Sequence, residues 1–353
     1  MDWGLGHAGR DVQIIEELIN AGFEIIIGAD NAPLFFLGQH FQQIPFVKLP
    51  SYKINYPSKG SMVLKMLVSM PKILFGIIKE HYQLKRIIKH NKIDIVISDN
   101  RYGLWNKKVH TVFISHQVFI KTPFKNILIE ILLNRLNHWF IAKFNECWIP
   151  DFPGEFNLSG TLSHNAKLPL NACFIGILSR FKLQNNHISK SFELSSKFDI
   201  LLIISGPEPQ RSIFEKICVD QISVSGYSAL VVQGKPLNKS RDQIGKIRFI
   251  NHLNSIQLYQ LIIETPIVIS RAGYSTIMDL TVLGKAAILV PTPGQTEQEY
   301  LAKIMLEKKW FYTVSQAKFN LDAAVLSIKD YFPGKIPENS TLLKEKIKSL
   351  SLI

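Results

Sequence analysis

Short apolar runs alternate along the chain with longer segments whose apolar residues recur at helical spacing, and the alternation appears twice. Strand-length runs separated by helical segments predict parallel sheets, because a parallel connection needs a crossover. In the first half the pattern predicts a helix from Arg10 to Ala21 closed by Gly22, a strand at Phe23 to Gly28 and another near Phe46 to Leu49. A long helical region follows over 60–90, which Pro71 should kink or divide. Strands at 93–98 and 111–115, a helix at 124–144 and a strand at 147–149 complete one doubly wound domain.

The second half opens on a buried strand, Asp199 to Ser205, then Gly206-Pro207, where proline suits the first position of a helix. Further strands fit 229–233, 247–250, 266–270 and 286–290. Between the halves, 151–198 is rich in Gly, Pro, Ser and Asn and reads as a linker. The expected division is a first domain at 1–178, a second at 179–335 with its boundary near Arg180, and a terminal helix at 336–353. In that helix Leu342, Leu343, Ile347 and Leu350 recur at helical spacing, which predicts docking back on the first domain. The glycine-rich segment Gly4 to Gly9 would ordinarily follow a strand, yet only three residues precede it. The first strand of that domain is therefore expected to be missing or truncated here.

With 353 residues and 46% hydrophobic residues, the chain can bury two cores. Cys147, Cys173 and Cys218 are too few and too widely spaced for a disulfide framework or a zinc cluster, which suits a reducing cytosol. The first residues lack the basic start and apolar run of a signal peptide. The most apolar stretch, 62–78, is interrupted by Lys65, Pro71 and Lys72, so no transmembrane helix is expected. The net charge of +13 is concentrated, because 46–147 holds 17 Lys/Arg against 5 Asp/Glu, a balance of +12. Such a field draws anionic lipid, polyanionic substrates or nucleic acid, and no nucleic-acid motif is visible. No nucleic-acid partner is expected.

Four constellations carry candidate chemistry. Gly4-Leu5-Gly6-His7-Ala8-Gly9-Arg10 precedes a helix, where free N–H groups and a titratable imidazole would meet a reacting oxygen; His7 is the first choice for general base. Asp99 and His116 sit at the carboxyl ends of two buried strands, where ligands of open α/β sheets bind. Asp99 would orient a histidine or an acceptor hydroxyl, and His116 competes as base. Ser270 to Asp279 runs from a strand through a glycine turn into a helix, so its hydroxyls and helix N-terminus form a diphosphate cradle. The loop Pro291 to Tyr300 brings Gln295, Glu297 and Gln298 to a second helix start, suited to sugar hydroxyls. Each has a plainer reading, as a capping turn or a solvated helix start.

These residues resemble the GT-B glycosyltransferases, and within them the family that transfers N-acetylglucosamine to the undecaprenyl-linked peptidoglycan precursor. The resemblance implies an α/β chain of two Rossmann-like domains facing a cleft. It is strongest in the second half, where Arg271, Ala272, Gly273, Ser275, Thr276 and Asp279 match the donor motif, with Asp in place of the usual Glu that binds ribose. Gln298, with Gln295 beside it, matches the donor-sugar Gln, and Ser205-Gly206 resembles the phosphate-facing loop. Gly6 and His7 match the glycine-rich loop that ends in a proposed base. The resemblance implies a UDP-sugar donor carrying an N-acetylhexosamine, inversion at the anomeric carbon and no metal or other cofactor. It does not extend to the loops that would recognise the acceptor, a hydroxyl that is polyprenyl-linked or part of a surface glycan. It also implies a cytoplasmic protein resting on the inner face of an anionic membrane. Competing readings are a UDP-sugar hydrolase, which shares Gly-x-Gly-His-x-x-Arg, a 2-epimerase of the same fold, and a basic polyanion-binding protein.

Overall fold

The computed structural model describes residues 6–50, 62–122, 127–164, 167–182, 197–235, 243–337 and 341–352, with only the helical backbone over 62–70. Gly4, Leu5 and the side chain of Lys65 lie outside the described residues.

In the first half, helix α1 (Gly6–Asn20) is followed by strand β1 (Ile27–Ala29), α2 (Asn31–His40) and β2 (Phe46–Lys48). Then come α3 (Met62–Asn91), β3 (Ile95–Asp99), β4 (His110–Ile114), α4 (Ile127–Ile141), β5 (Glu146–Ile149) and β6 (Ala172–Phe174). β3, β4, β5 and β6 form a parallel sheet in that order, while β1 and β2 pair separately. Among the described residues no strand joins the two sheets.

The second half contains β7 (Ile200–Ile203), α5 (Gln210–Ser225), β8 (Ala229–Val232), β9 (Gln243–Ile244), β10 (Ile247–Ile250), α6 (Ser255–Glu264) and β11 (Ile267–Ser270). It continues with α7 (Tyr274–Val282), β12 (Ile288–Leu289), α8 (Thr296–Glu307), β13 (Tyr312–Thr313), α9 (Leu321–Ser327) and α10 (Leu342–Leu350). Its sheet has the order β13-β12-β11-β7-β8-β10-β9, parallel except for β9. The order reverses between β7 and β11, a topological switch point whose carboxyl-end crevice receives ligands in such sheets. Two Rossmann-like units thus make up the fold.

Several boundaries differ from those the pattern predicts. α1 begins at Gly6, so Gly6 and His7 stand in its first turn and not in a preceding loop. β1 is three residues long, because only Ile27 to Ala29 find partners on β2. α3 runs unbroken through Pro71, although proline inside a helix costs about 3 kcal/mol. The expected linker contains β6, which pairs with β5, and α5 starts after Pro209, not at Pro207.

The core is continuous across the two sheets. Ile14 and Leu18 of α1, Val112 and Trp148 of the first sheet, and Leu201, Val268, Ile277 and Met278 of the second all belong to one buried cluster. α10 crosses back, burying Leu343, Ile347 and Leu350 in that cluster while Lys346 pairs with Glu146 of β5 at 3.1 Å.

Candidate active site

α1 and α7 pack along each other with their N-termini close: a Cβ added at Gly6 would lie 3.2 Å from Ser275 Oγ. Helical spacing puts His7 and Arg10 on one face of α1. That face meets the carboxyl ends of β3 and β4. His7 Nδ1 lies 2.8 Å from Asp99 Oδ2, and Arg10 Nε donates to the same oxygen at 2.9 Å. Arg10 Nη2 also pairs with Asp99 Oδ1 and lies 2.9 Å from His7 Nδ1, while Nη1 donates to His116 Nδ1 at 3.3 Å. The other ring nitrogen of His116 lies 2.8 Å from Glu297 Oε1 in α8, across the cleft. His7, Asp99, His116 and Glu297, scattered through the sequence, form one network.

Burial dominates its electrostatics. It lowers the His7 pKa, as does Arg10, and Asp99 offsets this only in part, so the imidazole is neutral near pH 7. Burial raises the Asp99 carboxyl, but Arg10 and His7 override it and hold the group well below the usual carboxylate range. Burial likewise pushes Glu297 up, and His116, His7 and Arg10 together bring it below its ordinary value.

On the other side of the cleft, α7 is preceded by Gly273, which offers no side-chain cap, so its first N–H groups are open to an anion beside Ser275 and Thr276. α8 has an uncapped start at Gln295. Thr292 presents a buried hydroxyl without a partner, 3.9 Å from where a Cβ on Gly206 would sit. Gly206 adopts φ +97, and a side chain there would be strained. Gln298 Oε1 accepts the Thr292 N–H at 2.9 Å, which fixes the amide and turns its NH2 group to other partners. Ser205 and Gln295 are half-buried on the same edge.

Three expected donor residues sit elsewhere than expected. Arg271 is 1% exposed. It donates to the carbonyls of Val290, Pro291 and Gln210 and to Gln316 Oε1, and its guanidinium lies 4.0 Å from the Phe214 ring centroid. It ties the loops together from beneath and does not reach the cleft; burial lowers its pKa to about 10. Ala272 is fully buried beside it. Asp279 has both carboxylate oxygens engaged, by the Ser179 hydroxyl at 2.6 Å and Arg180 Nε at 3.2 Å. A ribose there would share or displace these partners.

Sequence reading missed Arg180, Ser179 and Tyr274 as site residues and gave Arg10 no role. Arg10, three residues after His7 on a helix, carried the one local signal. Tyr274 lies inside the donor motif, but its stacking on His116, with centroids 4.0 Å apart and planes at 2°, depends on the meeting of two sheets.

Residues 220–344 match the glycosyltransferase family 28 C-terminal domain. This is a GT-B glycosyltransferase. An uncharacterised glycosyltransferase of Methanosarcina acetivorans is 26% identical over 325 residues, which cover 86% of this chain and 81% of that protein. The UDP-N-acetylglucosamine--N-acetylmuramyl-(pentapeptide) pyrophosphoryl-undecaprenol N-acetylglucosamine transferase of Wigglesworthia glossinidia brevipalpis is 24% identical over 360 residues, covering 98% and 90%. The crystal structure of the UDP-GlcNAc 2-epimerase from Neisseria meningitidis, bound to UDP-GlcNAc, superposes with a TM-score of 0.59 at 12% identity, covering 98% and 97% of the two chains. At that identity the likeness establishes fold alone, and the glycosyltransferase shares its architecture with enzymes of other chemistry.

Proposed function

We propose that the enzyme transfers an N-acetylhexosamine from its UDP-sugar to a hydroxyl acceptor, with inversion and without a metal. The observation that carries this is the approach of the His7 turn of α1 to the uncapped start of α7. A neutral imidazole backed by a carboxylate faces the place where a diphosphate would be held. The Asp99 carboxylate can only accept, so its 2.8 Å contact needs the proton on His7 Nδ1; Arg10 Nη2 then donates to Asp99 Oδ1 and not to the ring, and Nε2 is left to accept the acceptor hydroxyl's proton. As that oxygen attacks the anomeric carbon, the bond to UDP breaks and negative charge grows on the diphosphate. The α7 N–H groups, Gly206 and the Thr292 hydroxyl would stabilise it without a cation. The Asp99 and Glu297 carboxylates are bound to Arg10 and His116, which leaves His7 as the available base and favours proton removal from a hydroxyl over epimerisation at carbon.

Calorimetric titration with UDP and UDP-N-acetylglucosamine tests the donor site. Micromolar binding that survives EDTA is expected, weakened about tenfold by Thr292→Val and by Gln298→Ala, the loss of one hydrogen bond to a charged or sugar group. Absence of binding by the folded protein would sink the assignment.

We further propose that the acceptor is polyprenyl-linked and reached at the inner face of an anionic membrane, the protein itself being cytoplasmic. No described helix is long and apolar enough to cross a membrane. α3 exposes Leu74, Phe75, Ile78 and Tyr82, and α4 exposes Ile127, Leu128, Leu132 and Trp139. Trp105 stacks on His81 of α3, and the Lys143 ammonium lies over both Trp105 and Trp139, so the two helices share a face. Exposed Lys72, Lys79 and Lys85 border it. Apolar side chains ringed by lysines suit an anionic interface. The protein is expected to float with phosphatidylglycerol vesicles at low salt and to be released as salt rises, with Phe75→Ser reducing recovery. Equal recovery on neutral phosphatidylcholine would refute an electrostatic contribution.

A further inference from the structure

We infer that His116 is a positioning residue that ties the acceptor-side base to the donor-side loop, and is not itself the base. The inference deepens the proposed transfer reaction and rests on it. Arginine can only donate, so the 3.3 Å contact from Arg10 Nη1 makes His116 Nδ1 an acceptor. Its Nε2 therefore carries the proton and donates to Glu297 Oε1 at 2.8 Å. Both ring nitrogens are committed, and the ring face is covered by Tyr274 of α7. Tyr274 is held in turn by its own hydroxyl, which donates to Pro150 O at 2.8 Å. No lone pair of His116 is left for a substrate.

The consequence is a chain of contacts from α8 through His116 to Arg10 and on to Asp99 and His7. Glu297 stands next to Gln298 at the start of α8, so a shift of that helix away from β4 would break the link. Arg10 would then lose one of the partners that hold its guanidinium against Asp99 and His7. The placement of the base is tied in this way to the position of α8 by side chains from both halves, with Asp11 of α1 a further charged neighbour of Asp99.

Nitrogen-15 spectra of the histidine rings in the intact protein at neutral pH are expected to show His116 protonated on Nε2 and unprotonated on Nδ1. The opposite tautomer would overturn the inference, and this readout needs neither ligand nor turnover. His116→Phe keeps the stack on Tyr274 and removes both hydrogen bonds. That variant and Glu297→Ala should each slow UDP release from UDP-N-acetylglucosamine about tenfold with little change in donor affinity, and the double variant should be no slower than the worse single one. The acid limb of the pH profile should survive in His116→Phe. Additive losses, or disappearance of that limb, would overturn the assignment. If the wild-type protein binds no UDP-sugar, the proposed reaction fails, and the tautomer still decides whether His116 is held as described.

Discussion

Replacing His7 by alanine is expected to slow sugar transfer by about 100- to 10,000-fold, the usual worth of a general base, while UDP-sugar affinity changes little. His7 touches Asp99 and Arg10 and presents its remaining nitrogen to the cleft, so its removal takes away the proton acceptor without dismantling the diphosphate cradle. The pH dependence follows from burial. A pKa lowered below the ordinary 6.5 keeps the imidazole unprotonated at neutral pH, so turnover is expected to be flat near pH 7 and to fall as pH drops through the lowered value. Asp99→Asn should move that limb to lower pH, because the carboxylate that favours the imidazolium is gone, and should also lower the plateau by misplacing the ring proton. A His7→Ala enzyme with unchanged turnover would remove His7 from the mechanism.

Arg271→Ala is expected to destabilise the protein by about 3–5 kcal/mol, because it leaves buried acceptors unpaired and opens a void. The orphaned groups are the carbonyls of Val290, Pro291 and Gln210 and the Gln316 amide oxygen, and the void lies over Phe214. Arg271→Lys should recover only part of this, since an ammonium cannot span the same set of acceptors. The loops at Pro291 and Gln210 belong to the donor edge, so UDP affinity should fall together with stability. Urea unfolding monitored by tryptophan fluorescence provides the check. A variant with the wild-type midpoint and weakened UDP binding would show instead that the guanidinium acts on the ligand directly.

The contrast between Arg271 and His7 marks where sequence reading ends. Both stand in recognisable motifs, and the same motif logic assigns both to a ligand. Only the packing reveals that one guanidinium is turned into the core. Asp279 is similar: its place one turn into α7 was legible, but its engagement with Ser179 and Arg180 depends on how the connection between the sheets returns past that helix.

Strands such as β4, β7, β8 and β11 were legible because a strand buried on both faces needs a continuous run of apolar residues, and such a run has few other uses. α2 was missed because its sequence carries no amphipathic signal strong enough to separate it from a loop. β6 was missed because a three-residue strand is defined by its partner β5 and not by its own residues. Periodicity and strand-end chemistry by themselves determined two α/β units, a terminal helix with an apolar face, and His7, Asp99, His116 and Glu297 as separate candidates. Tertiary structure alone decided that these four share one network, that Arg10 lies at its centre, and that Arg271 faces inward. The reason is physical: backbone preference and hydrophobic period act over a few residues, whereas the partner of a buried charge is chosen by which strand ends and helix starts the packed core brings together.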